Sequence, residues 1–228
     1  MIQEQLDQLY QPYLSSRTRF VPCGLVDEGL YTKSRTRVLW LLKDPNDPES
    51  KAGDKWEQWS LPEWILLDIA EKKWSGRTMW KVVGALTYGM QQNRFPPYCT
   101  SYDNEDHICD GLRMIGVTNL KKTGGGSTSK NEEIHAAAHD DIDLWTEEIR
   151  IMAPHLVVCG GTYWYIKQPL GLIDQPLQVG SRYAVYDFNG HECVLVDVYH
   201  PAYRVSGVLH YSFFKDCVLE LRTKDLIP

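Results

Sequence analysis

The chain has 228 residues, 43% of them apolar and 24% charged, with a net charge of −6. That balance excludes a disordered or fibrous protein, and its acidity argues against a basic protein that coats nucleic acid, though not against a local cationic groove. No apolar run approaches the ~20 residues that span a bilayer and no leader peptide is visible after Met1, so a cytoplasmic protein without a membrane partner is expected.

In chain order, Ile2 to Leu14 has a helical apolar rhythm, and about 1–35 reads as an N-terminal helical extension. Val38-Leu39-Trp40-Leu41-Leu42 is a continuous apolar run stopped by Asp44-Pro45, the signature of a strand covered on both faces. Ser60-Leu61-Pro62-Glu63 is a capping box that opens a helix to about Lys73. A second helix is expected from about Thr78 to Gln92, weakened by Gly84 and Gly89. Met114 to Thr118 reads as a strand, followed by a polar Gly-rich loop through Thr128. Ser129-x-x-Glu132 is expected to cap one long helix ending before Pro154.

His155 to Cys159 is a third buried strand, broken by Gly160-Gly161. Tyr183–Tyr186 and Glu192–Val198 flank Asn189-Gly190, a type I′ hairpin signal, and a last helix runs from about Ser206 to Thr223. The six cysteines form no C-x-x-C pair and read as reduced thiols. Strands alternating with helices point to an α/β fold, and no linker divides the chain.

In open α/β sheets, ligands bind beyond the carboxyl ends of the strands. The residues there are Lys43-Asp44-Pro45-Asn46-Asp47, Asn119-Leu120-Lys121, Gly160-Gly161-Thr162-Tyr163 and His200-Pro201-Ala202-Tyr203-Arg204. They supply carboxylates, an amide, a small-residue turn suited to phosphate and an imidazole. The Gly-rich loop lacks the Walker pattern, so a nucleotide P-loop is rejected.

Four of these segments, in this order, resemble motifs of the uracil-DNA glycosylase superfamily: Leu42-Lys43-Asp44-Pro45-Asn46, Val117-Thr118-Asn119-Leu120, the stretch Glu147 to Tyr163, and Tyr199-His200-Pro201-Ala202. The resemblance spans about 36–222. It implies a single-domain three-layer α/β/α sandwich with a short, mainly parallel central sheet. It further implies a monofunctional DNA glycosylase, monomeric and without cofactor or metal, that leaves an abasic site.

By that resemblance Asp44 activates water and His200 stabilises the departing base, while Asn119 reads the pyrimidine edge. Trp56 or Trp59 would stack on the base. Phosphates would be held by Lys121, Ser127, Thr128, Gly160, Gly161 and Thr162, with Lys122, Lys130 and Arg204 completing a positive face. Val205, Val208 and Leu209 are candidate wedges, and Arg204 could fill the vacated stack. Asn46 stands where the uracil-specific branch has a bulky aromatic residue. A smaller polar wall suits a C5-substituted pyrimidine, such as a hydroxymethylated or glucosylated cytosine, as in the branch that restricts phage.

Three rival readings stand beside this one: an ordinary uracil-DNA glycosylase of base-excision repair, a silent nucleic-acid-binding module, and a metal-dependent hydrolase. The last rests on His135 and His139, which share a helix face at the spacing zinc sites use, although Ala fills the slot of the expected general-base Glu.

Overall fold

Every residue of Val38–Leu42 is apolar because the strand is buried on both faces. Val38, Trp40 and Leu42 join one hydrophobic cluster, and Leu39 and Leu41 join another across the sheet. The computed structural model describes residues 1–46, 58–71, 78–92, 94–124 and 129–228.

The helices are α1 (Ile2–Ser16), α2 (Glu28–Lys33), α3 (Leu61–Glu71), α4 (Thr78–Gln91), α5 (Tyr98–Tyr102), α6 (Glu105–Arg113), α7 (Asn131–Asp140), α8 (Ile142–Met152), α9 (Tyr163–Leu170) and α10 (Gly207–Thr223). The strands are β1 (Gly24–Leu25), β2 (Val38–Leu42), β3 (Ile115–Asn119), β4 (Leu156–Gly160), β5 (Gln175–Pro176), β6 (Arg182–Asp187) and β7 (Glu192–Val198). They form one sheet in the order β1-β3-β2-β4-β7-β6-β5. Its centre, β3-β2-β4-β7, is parallel, and β1, β6 and β5 add antiparallel edges.

Side chains of α3, α4, α6 and α10 fill one face, among them Ile65, Val83, Leu112 and Phe214. Those of α1, α8 and α9 fill the other, among them Leu6, Trp145, Ile149 and Ile166. The result is the expected three-layer α/β/α sandwich. No helix among the described residues is long and apolar enough to cross a membrane.

Local chemistry explains most element ends. Glu63 accepts from the Ser60 backbone N–H at 3.2 Å and the Ser60 hydroxyl accepts from the Glu63 N–H at 3.4 Å, the capping box read in the sequence. The expected end of that helix near Lys73 lies outside the described residues. Asn189 and Gly190 both take positive φ, 50° and 90°, as a type I′ turn requires. Gly84 is where α4 meets α6: a Cβ on Gly84 would sit 2.5 Å from the Ile108 carbonyl oxygen, and one on Gly111 would sit 2.0 Å from that of Gly84.

Two expectations are corrected. The long helix before Pro154 is two helices that break at Asp141, which pairs with Arg17 at 2.6 Å. The break brings the Trp145 indole to the Ala138 carbonyl at 3.2 Å. Ser129 caps neither of them; the N-cap of α7 is Lys130.

The N-terminal segment is tied into the sandwich. Leu6 and Tyr10 are buried, and β1 lies in the sheet. The Tyr10 hydroxyl donates to the fully buried Glu148 carboxylate at 2.6 Å, which also takes hydrogen bonds from Thr118 and the Lys122 ammonium, both at 2.5 Å. Lys122 is therefore an interior ion-pair partner and not part of a positive surface, because its charge is needed where Glu148 is sequestered from water.

Candidate functional site

The four parallel strands end in line. Leu42 is opposite Asn119, Leu41 opposite Cys159, and Gly160 opposite Val198. Across the sheet these strands run second, first, third, fourth in chain order, so the direction of winding reverses between β2 and β4. Such a reversal opens a crevice at the carboxyl ends, where α/β proteins bind ligands. Lys43-Asp44 and Gly161-Thr162 leave the strands on its two sides, with Asn119 next to the first pair and His200 next to the second.

Asp44 is half-buried, and its Oδ1 accepts a hydrogen bond from the Ser129 hydroxyl. Burial pushes its carboxyl above the ordinary aspartate range, while the Ser129 bond and the charges of Lys121 and Lys43 act against the rise. The two loops are stitched together by backbone bonds from Leu120 N–H to the Leu42 carbonyl and from Lys121 N–H to the Lys43 carbonyl, each 2.9 Å.

Asn119 is 1% exposed, and neither its amide oxygen nor its amide nitrogen has a hydrogen-bond partner among the described residues. Buried polar groups are nearly always paired, and each orphan costs about 1–3 kcal/mol. An amide left open at the last residue of a central strand therefore points to a ligand that would complete it. Lys121 stands two residues on, its ammonium 2.5 Å from Glu133, which also holds Lys130 at 2.9 Å.

On the far side, Gly161 has φ +67°, and a Cβ there would lie 3.1 Å from the His200 Cβ. A Cβ on Gly160 would lie 2.9 Å from Leu42 Cδ2 and 3.1 Å from Pro201 Cδ. The two glycines thus let the His200-Pro201 loop close over the end of β4. Thr162 is fully buried and its hydroxyl donates to the Leu41 carbonyl at 2.8 Å, so this side chain braces the turn and leaves only backbone groups for a phosphate.

The Ala202 N–H donates to His200 Nδ1 at 3.1 Å. Burial, with help from the Lys43 and His210 charges, lowers the His200 pKa to about 4. The ring is then neutral near pH 7, and because Nδ1 accepts, its proton sits on Nε2.

Asn46 is exposed directly after Pro45. Trp59 is half-buried, its ring 5.6 Å from that of Trp64. Trp56, Asp47, Ser127 and Thr128 lie outside the described residues. Arg204 is exposed, as are Val208 (51%) and Leu209 (47%) in the first turn of α10, which Ser206 caps by accepting from the Leu209 N–H.

His135 and His139 are exposed on α7, and the His135 ring meets that of Tyr165 edge-on at 4.6 Å. Among the described residues no group of three His, Cys, Asp or Glu side chains is arranged to hold a metal ion. Sequence reasoning missed Ser129, whose local pattern resembles a cap, and Trp164, an aromatic residue three positions past Gly161.

No protein-family model matches the chain, and no curated protein matches it either.

Proposed function

We propose that the protein is a DNA glycosylase that hydrolyses the N-glycosidic bond of a flipped-out pyrimidine. The observation that carries this reading is the buried amide of Asn119, without a partner among the described residues and in line with a strand-end carboxylate and a neutral imidazole. A primary amide carries a donor and an acceptor side by side, as the edge of a pyrimidine does. The resemblance of these four segments to the uracil-DNA glycosylase superfamily supports the same assignment.

Breaking the bond between C1′ and the base nitrogen puts positive charge on the sugar and a negative charge on the departing base, as in other glycoside hydrolyses. The Asp44 carboxylate stabilises the sugar cation and orients the attacking water. The Ser129 hydroxyl holds that carboxylate in place and favours its ionised form. The C–N electron pair leaves with the base, and its negative charge collects on a ring carbonyl oxygen. The Nε2–H of His200 donates a hydrogen bond to that oxygen. With its pKa lowered to about 4 the ring is neutral near pH 7 and has no imidazolium proton to give, so this bond is electrostatic stabilisation and not acid catalysis. The water's proton goes to solvent, and solvent protonates the freed base.

A base inside a duplex cannot reach a buried amide, so the nucleotide must be extruded. For the base itself, the exposed, small and polar Asn46 favours a C5-substituted cytosine over uracil. A sugar-bearing cytosine would make phage restriction the setting.

The test is incubation with DNAs carrying uracil, 5-hydroxymethylcytosine or glucosylated hydroxymethylcytosine, scored for abasic sites. Excision by the wild type, lost in Asp44→Ala without loss of folding, is expected. No abasic sites in any DNA, or full activity of Asp44→Ala, would overturn the reading.

A further inference from the structure

Three aromatic side chains are more than a third exposed among the described residues: Trp164 at 54%, Tyr199 at 44% and Tyr203 at 64%. The other aromatic rings described are packed into the two cores or half-covered. All three exposed rings follow the carboxyl ends of β4 and β7. Trp164 lies three residues after Gly161 and Tyr203 three residues after His200, the glycine and the histidine that meet at the end of β4. Exposing large rings is unfavourable, and finding all three in the segments that leave β4 and β7 suits a surface that is covered in use.

The chemistry beside the rings says by what. The Lys167 ammonium lies 5.0 Å and the Arg182 guanidinium 4.4 Å from the Trp164 ring centre. Asp174 accepts from both cations and from the Tyr163 hydroxyl, and Asp197 lies 4.0 Å from the Arg182 Nε, so the two positive heads stand against two carboxylates beside an open indole. Arg204 is exposed next to Tyr203. Tyr199 and Tyr203 are stacked, with centroids 6.3 Å apart and planes at 22°, and Phe213 backs Tyr199 at 4.8 Å.

An apolar protein partner would favour a continuous greasy patch. These rings are instead interleaved with cations on a chain whose net charge is −6. Aromatic faces with adjacent cations suit a strand that offers flat bases and phosphates alternately. In a duplex those base faces are already stacked on one another.

We propose that Trp164, Tyr199 and Tyr203 form a stacking surface for the unpaired bases that flank the target nucleotide, so that the DNA is engaged as a single strand. This rests on the glycosylase reading for its target, but the binding surface is tested apart from it. The probe is an oligothymidine, which carries no modified cytosine and no uracil, compared with its duplex on oligoadenine.

The single strand should bind more tightly than the duplex. Trp164→Ala and Tyr203→Ala should each weaken single-strand binding about tenfold while barely moving duplex binding. Trp164→Phe, which keeps a flat ring, should retain most of the affinity. Equal or tighter binding of the duplex, or single-strand affinity indifferent to both alanine variants, would overturn the inference. If the single strand binds through the rings but no base is ever excised, the glycosylase reading fails alone. If bases are excised and the rings are irrelevant, this inference fails alone.

Discussion

The hydroxyl of Ser129 is bonded to Oδ1 of Asp44, which fastens the segment before α7 to the carboxylate after β2. A donor to the ionised form lowers a carboxyl pKa, so losing it raises the pKa further. For Ser129→Ala the acid limb of excision should therefore move to higher pH. Activity at pH 5 should suffer more than activity at pH 8, and Ser129→Thr should restore the profile. An equal loss at every pH in a pH–rate profile would make Ser129 only a loop anchor.

His200→Ala should slow the chemical step by ~10²–10³, the usual cost of one preorganised donor, with much less effect on DNA affinity. Single-turnover rates and equilibrium binding separate the two. Since the His200 pKa is lowered to about 4, the wild-type profile should show no imidazole step between pH 5 and 8. The folded ring resists a proton that the unfolded chain accepts near pH 6.5. Its contribution to stability is thus full above about 6.5 and fades as pH falls towards 4.

Asn119→Leu replaces an orphaned amide with an apolar side chain of similar shape. It should stabilise the fold by about 1–3 kcal/mol while abolishing recognition of the base. Chemical denaturation and the abasic-site assay read the two effects. A destabilised variant would mean that the amide is already satisfied in the free protein.

Burial raises the Asp197 pKa to about 6, against the partial relief of Arg182 at 4.0 Å. A raised folded pKa contributes stability that is complete below the unfolded value near 4 and is lost as pH rises through about 6. Asp197→Asn removes that loss. The variant should gain on the wild type across pH 4–7 and stay ahead above it by on the order of 1 kcal/mol. Denaturation midpoints at pH 4 and pH 8 check the sign.

The parallel centre of the sheet was legible because a strand covered on both faces is apolar throughout, as Val38–Leu42 is, and the antiparallel β6–β7 hairpin because Asn189-Gly190 admits few alternatives. Once the strands were placed, their polar ends followed, which is how Asp44, Asn119 and His200 could be named. What escaped was set by contacts distant in sequence. β1 and β5 have two residues each, too few for any period to show. α6 carries an Asn104 cap, but its packing depends on Gly111 meeting Gly84 on another helix. α9 follows a glycine turn and contains Pro169, two marks that argue against a helix. Lys122 looked like a surface charge because nothing nearby in the sequence announces Glu148. At Ser129 the local capping pattern lost to a bond with a residue 85 positions earlier.

The bond between Tyr10 and Glu148 also has a bearing on how the chain is made. The two residues are 138 positions apart, so at a synthesis rate of about 5–20 residues per second the first helix leaves the ribosome on the order of ten seconds before its acceptor. Throughout that interval the apolar side of α1, with Leu6 and Tyr10, has no core to enter. Nascent chains stalled before residue 148 should therefore leave α1 open to protease, and chains stalled far enough beyond α8 for it to clear the exit tunnel should protect it.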